Sequence, residues 1–407
     1  LARHSAAPHP RRRGLFTRFV GVLIGLVIAA GVIVALQVPL LHRPARVYVA
    51  LNATPTTAAQ PSLVWPSIGS AALDIPSLKV LAGYNNEVVP IASLTKMMTV
   101  YVALQHLPLS IGETGPCYTV TENDVESDNQ LLALGESTVP IIAGEQLCES
   151  DLLNGILVHS AGDYAVMLAN MVAGSNEAFV DLMNEEAQTL GLTGTSYADV
   201  TGLSSDSVST ALDQAQVAVL LMRSALVRSI VIQPSVTLPY AGVEDSFTPD
   251  VGIDNVIGVK SGRTAAAGGC DVMAMTFQDG ASTRVLYAVV LGQQGGNLLT
   301  PAGEAALALA NSAVASRQHY TFYGQRAYGE LAYEGRRVAF GLTKSKEFWW
   351  WPVQGSLHER VIIRRVTRSI HRGEVVGHLV VSGPVHDTLT LRAFGSLAPP
   401  TWLQRLR

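Results

Sequence analysis

The first pattern along the chain is an unbroken apolar run. Phe19 to Leu41 contains no charged residue and extends for about 23 residues, enough for one helix to cross a bilayer. The run has no amphipathic period, so a core helix of a soluble domain, the alternative, is disfavoured. A cleaved signal has a shorter apolar core and a small-x-small site. Neither is evident, which predicts an uncleaved anchor over residues 19–41. Residues 1–18 are polar and basic, with Arg11, Arg12, Arg13 and Arg18. That charge places the N-terminus on the cytoplasmic side and the chain beyond His42 outside. Residues 42–61, containing Ala, Thr and Pro without clear period, read as a tether.

The pattern then changes character. Val64 to Leu81 reads as short strands separated by Gly69 and Pro76, and Gly83 to Asn86 as a turn. After Pro90 a loop enters a helix carrying Met97, Met98, Val100, Tyr101, Val102 and Leu104. Helical periodicity recurs near 151–158, 164–173, 177–190 and 211–227. Strand-like runs return at 256–259, 270–277 and 284–291, followed by a helix at 301–315. Strands, then helices, then strands and a helix predict an α+β domain over residues 62–318, with a sheet that joins its two ends.

Composition adds three constraints. The 407 residues, nearly half of them hydrophobic, suffice for two domains with real cores. The net charge of −4 hides a basic segment from about Leu357 (Arg360, Arg364, Arg365, Arg368, Arg372, Arg392, Arg405, Arg407) behind an acidic middle. It reads as a solvated sheet face or, alternatively, as a surface for anionic lipid or wall polymer. No recognition motif accompanies it, so nucleic acid is not expected as a partner. Of the three cysteines, Cys117 and Cys148 are free to pair outside the membrane or to remain buried thiols, and Cys270 lies in an apolar stretch. The ten histidines show no metal-ligand spacing, so no metal and no cofactor are expected.

Three short stretches carry candidate chemistry. In Pro90-Ile91-Ala92-Ser93-Leu94-Thr95-Lys96, Ser93 belongs to the first helical turn. Lys96, three residues on, shares its face. A lysine held neutral is a base for a serine nucleophile; otherwise Ser93 is only a cap and Lys96 a solvated residue. His159-Ser160-Ala161-Gly162-Asp163 is an interhelical turn that aims side chains into a cleft or caps the next helix. In Gly258-Val259-Lys260-Ser261-Gly262-Arg263-Thr264 a strand presents a cation and a hydroxyl suited to a carboxylate. Gly262 lets a ligand lie close, though an ordinary strand edge has the same form.

Together the three resemble the Ser-x-x-Lys, Ser-x-Asn and Lys-Thr-Gly set of penicillin-binding proteins and class A β-lactamases. The flanks Asn85 to Thr99, Asp199-Val200-Thr201-Gly202-Leu203 and Ala267-Gly268-Gly269-Cys270 resemble the serine D-alanyl-D-alanine carboxypeptidases. Arg372 to Val381 resembles the β-rich domain that often follows in that family. The resemblance implies a β-lactamase/penicillin-binding transpeptidase-like catalytic domain and a small all-β domain over residues 319–407. It also implies peptidoglycan stem peptides ending in D-Ala-D-Ala as substrate, β-lactams as covalent inhibitors, and a single-pass location in a bacterial cell membrane. By resemblance, Ser93 attacks, Lys96 takes its proton and Ser160 relays it. Lys260, Ser261, Gly262, Arg263 and Thr264 bind substrate, and the backbone N–H groups of Ser93 and Arg263 hold the oxyanion.

One position departs from the family. Gly162 stands where the middle motif has Asn, so a side-chain amide is missing, with Asp163 or a water as its expected replacement. The departure supports a rival from another class, a catalytically weak wall-binding or scaffolding protein. A β-lactamase is the enzymatic rival. The tryptophans at 349–351 and 402 are expected in a domain core, or else in an interfacial belt.

Overall fold

The computed structural model describes residues 13–41, 45–49, 62–333 and 335–399. Residues 1–12, most of the expected tether and Trp402, Arg405 and Arg407 lie outside the described residues. The helix Arg13–Leu41 exposes its apolar side chains from Phe19 to Leu36, and this stretch is long and apolar enough to cross a membrane. The chain divides into a larger unit, residues 58–318 with Trp351–Gln354, and a smaller one holding the remainder.

The larger unit is α+β, as the pattern predicts. Its antiparallel five-stranded sheet runs in the order Val256–Thr264, Gly268–Asp279, Ser282–Gln293, Ser70–Ile75 and Val80–Tyr84, so the sheet does join the two ends of the domain. The central strands are buried on both faces, which is why 272–275 reads as a continuous apolar run rather than an alternation. On one face lies the helix Leu299–Ala315, whose Ala302, Ala306, Leu309, Ala310 and Ala313 form one stripe against Leu73, Met273 and Val290. The other face carries the helical layer. At its centre is Thr95–His106, which buries Lys96, Met97, Met98, Thr99 and Val100 in succession and therefore has no solvent side in its first turns.

Two helical expectations change. The single helix at 211–227 is instead a pair, Ala211–Leu221 and Ala225–Val231, bent by 111°. Ser224 causes a restart: its hydroxyl accepts the Val227 N–H at 3.3 Å, an N-cap inside an otherwise continuous apolar pattern. The polar helix Glu122–Ala133 was not legible from periodicity. It is fixed by a capping box in which Thr121 N donates to Asp124 Oδ2 at 2.8 Å and Asp124 N to Thr121 Oγ1 at 3.2 Å. Cys117 and Cys148 face each other across a short two-stranded ladder and are bonded, while Cys270 is a buried free thiol.

The smaller unit is all-β in its globular part. Its six-stranded antiparallel sheet runs Arg46–Val49, Ala327–Tyr333, Arg336–Gly341, Asp387–Ala393, Val375–Ser382 and His358–Ile363, around a core that includes Phe322, Leu331, Phe340, Leu379 and Leu391. The edge strand Arg46–Val49 corrects the tether: part of residues 42–61 is a strand of this sheet, its Val47 opposite Leu331. Four residues between proline-containing stretches are too few for a period to show. Trp350 is buried in this unit, and Trp351 in the larger one, where its indole donates to Ala313 O at 2.7 Å. Of the basic side chains, Arg364 and Arg368 share Glu374, as expected of a solvated sheet face.

The disulfide closes a sequence separation of 31 residues across the segment that carries Glu136. Loop-closure entropy then predicts that the Cys117→Ser/Cys148→Ser variant loses about 4 kcal/mol of stability, measured by denaturant unfolding of the folded body.

Candidate active site

Ser93 sits at a junction. A 3-10 turn, Ala92–Leu94, feeds directly into the helix Thr95–His106, so Ser93 precedes the regular helix instead of occupying its first turn. Ala92 adopts a left-handed φ of 49°, a conformation that costs a non-glycine residue about 1–3 kcal/mol and is tolerated where the surroundings enforce it. Lys96 reaches back across one turn, and its Nζ donates to Ser93 Oγ at 3.1 Å. The lysine is wholly buried.

The turn around Ser160 supplies the second side. A π-helical turn, Gly155–His159, ends with Ser160 in the left-handed region at φ 68°, which turns its hydroxyl toward the cleft. There Oγ stands 3.5 Å from Lys96 Nζ. The structure thus brings Ser93, Lys96 and Ser160 together.

The strand Val256–Thr264 forms the third side. Gly262 is required here by proximity: a Cβ on it would come within 2.6 Å of Ser93 N, so any side chain would push the strand off the Ser93 backbone. Lys260 is wholly buried and donates to Ser261 O at 2.8 Å. Burial, and then the charge of Lys96, push the Lys260 ammonium down to about 7, with Glu136 and Asp271 pulling the other way. Ser261 Oγ donates to Phe247 O at 2.7 Å, leaving its oxygen free to accept. Arg263 reaches Asn297 at 3.0 Å. Thr264 differs from the others, because its hydroxyl accepts the Ala267 N–H at 3.0 Å and closes a turn. Ser93, Ser160, Ser261, Gly262, Arg263 and Thr264 nevertheless line one cleft, with Glu136, Phe247 and Leu203.

The vacancy at Gly162 is filled, but not by the expected residue. Asp163 is buried with Oδ1 accepting the Val139 N–H at 3.4 Å, and burial pushes its carboxyl well above the usual carboxylate range. Glu136 occupies the place instead. A Cβ on Gly162 would meet Glu136 Cγ at 2.5 Å and Cδ at 2.9 Å, and Glu136 Oε1 accepts from Lys96 Nζ at 2.7 Å. The side chains are 0 and 5 % exposed, so this is a buried ion pair. Nothing in the local sequence marks Glu136 as functional. The usable signal is indirect: a buried lysine beside a glycine that lacks the family's amide needs another polar partner.

Two supports were also not anticipated. The Asp199 carboxylate accepts from Gly202 N at 2.9 Å and Leu203 N at 2.8 Å. Thr99 Oγ1 in turn donates to Val200 O at 2.8 Å, fixing this loop to the helix that carries Lys96. Asp271, opposite Ser261 in the sheet, is a wholly buried carboxyl whose electrostatic neighbours include Lys260. No group of three metal-ligating side chains occurs among the described residues.

Comparison with known proteins agrees with this geometry. A family profile described as D-alanyl-D-alanine carboxypeptidase matches residues 57–295. The chain is 34 % identical over 250 residues to the D-alanyl-D-alanine carboxypeptidase DacC of Escherichia coli K12, a match that covers 58 % of this chain and 59 % of that protein's length. In fold it is similar to penicillin-binding protein 5 of Haemophilus influenzae, with a TM-score of 0.58 at 20 % identity, covering 83 % of this chain and all of that one. It is equally similar to penicillin-binding protein 6B of Escherichia coli, at TM-score 0.58, 21 % identity and coverage of 82 and 98 %. On its sequence, its fold and this cleft, the chain belongs to the D-alanyl-D-alanine carboxypeptidase family.

Proposed function

We propose that the protein is a serine-type D-Ala-D-Ala carboxypeptidase that trims the terminal D-alanine from peptidoglycan stem peptides and is acylated by β-lactams. The observation that carries this is the convergence on one cleft of Ser93, Lys96 and Ser160, with the buried cation Lys260 close enough to feel the charge of Lys96. In this account Ser93 Oγ attacks the carbonyl of the penultimate residue while Lys96 takes its proton, and Ser160 relays a proton to the departing D-alanine. The N–H groups of Ser93 and Arg263 receive the oxyanion, and Lys260 and the Ser261 hydroxyl hold the terminal carboxylate. Water then releases the acyl group. The apolar N-terminal helix anchors the chain in the bacterial membrane with the catalytic unit outside, and the β unit orients it over membrane or wall.

The scaffold alternative drew its support from Gly162. The Glu136 carboxylate at Lys96 weakens that support, since the polar partner is replaced rather than lost. A β-lactamase is disfavoured by the family assignment.

The full chain in detergent is expected to release D-alanine from a peptide ending in D-Ala-D-Ala, and Ser93→Ala to abolish release. No release by folded protein would overturn the assignment. The pH dependence follows from Lys260. Its charged form, which receives the carboxylate, is present below about 7 and is lost as pH rises through that value. KM for the peptide is therefore expected to rise above about pH 7, while a substrate amidated at its C-terminus shows no such rise.

A further inference from the structure

We propose that Glu136 is a positioning residue for Lys96 that also holds its proton, a role made possible by the absence of a side chain at Gly162. This deepens the carboxypeptidase reading and rests on it. Three observations support the assignment. Glu136 Oε1 lies 2.7 Å from Lys96 Nζ, the shortest of the three polar contacts of that amine, the others being Ser93 Oγ at 3.1 Å and Ser160 Oγ at 3.5 Å. The pair is almost wholly buried. Gly162 is the structural condition: its own N–H is tied to Ser137 O at 2.7 Å, and the volume of its missing Cβ is taken by the Glu136 Cγ and Cδ. The nucleophile, the lysine, the carboxylate and the relay serine form one chain of hydrogen bonds.

The pair does chemistry that an ammonium alone cannot. With Lys96 charged and Glu136 ionised, Lys96 passes one proton to Glu136 Oε1 and becomes a neutral amine. Lys96 then accepts the Ser93 hydroxyl proton as Oγ bonds to the carbonyl carbon. When the tetrahedral adduct collapses, the C–N bond breaks and the leaving nitrogen takes a proton from Lys96 through Ser160. Glu136 returns its proton to Lys96, so the pair regains its starting charge and the serine proton ends on the leaving group. Of the other buried ionisable groups, Lys260 on the neighbouring strand feels the charges of both Lys96 and Glu136, Asp271 on the next strand feels that of Lys260, and Asp163 is buried on the helix that begins at Gly162.

The test is the rate of acylation by a fluorescent penicillin, measured across pH with the full chain in detergent. Glu136→Gln keeps the size and loses the proton acceptor. Lys96 must then lose its proton to solvent, so the deficit is expected to reach about 10²-fold in mildly acidic buffer and to shrink as pH rises. Gly162→Ala drives a Cβ into Glu136 and is expected to show the same pH-dependent deficit from the opposite side of the contact. Glu136→Asp keeps a carboxylate and is expected to retain the wild-type shape of the profile at a lower rate. It also covers the case in which the glutamine variant fails to fold. Wild-type acylation with an unchanged profile in Glu136→Gln, or a deficit equal at every pH, would overturn the proposal alone. No acylation of the wild type at any pH would overturn both it and the carboxypeptidase reading.

Discussion

The site depends on one constraint, a lysine amine with no exposed surface. Lys96 is buried on a helix whose first turns have no solvent face, and a charge in that position is tolerated only if it is paired and hydrogen-bonded. Glu136 supplies the pairing and the two serines the remaining contacts. Removing one partner of such a buried pair typically costs about 3–5 kcal/mol, so the contact proposed to ready Ser93 also contributes to the fold.

Two glycines set the dimensions of the cleft by what they lack. At Gly262 the missing Cβ allows the Lys260–Thr264 strand to lie against the backbone N–H of Ser93, where a developing negative charge would be received. At Gly162 the missing side chain admits a carboxylate from a segment 26 residues earlier. The first brings the strand against the Ser93 backbone; the second changes which group meets the Lys96 amine. A substitution that looks like a loss when the motif is read alone is, in three dimensions, half of an exchange.

Much of this was legible from the chain. The apolar run, the α+β order and the joining of the two ends of the domain by a sheet follow from local patterns, whereas the grouping of Ser93, Lys96, Ser160 and the Lys260 strand was implied only by the family resemblance of their motifs. What sequence missed has a common cause. Glu136 meets Lys96 across 40 residues, and no periodicity encodes a contact of that kind. The Glu122–Ala133 helix escapes because its apolar stripe is thin and only its capping box declares it. The break at Ser224 interrupts an apolar pattern that looks continuous, and the strand Arg46–Val49 is too short to show alternation. Asp163 was the natural substitute for a missing amide by proximity in sequence. The fold turns it toward Val139 instead.

The central claim is that Ser93, activated through the buried Lys96–Glu136 pair, is a nucleophile. Its most direct test is peptide mapping by mass spectrometry after the full chain is exposed to a β-lactam. The account predicts one drug-sized adduct on the peptide that contains Ser93, formed at neutral pH. A folded protein that carries no adduct, or carries it on another serine, would contradict it.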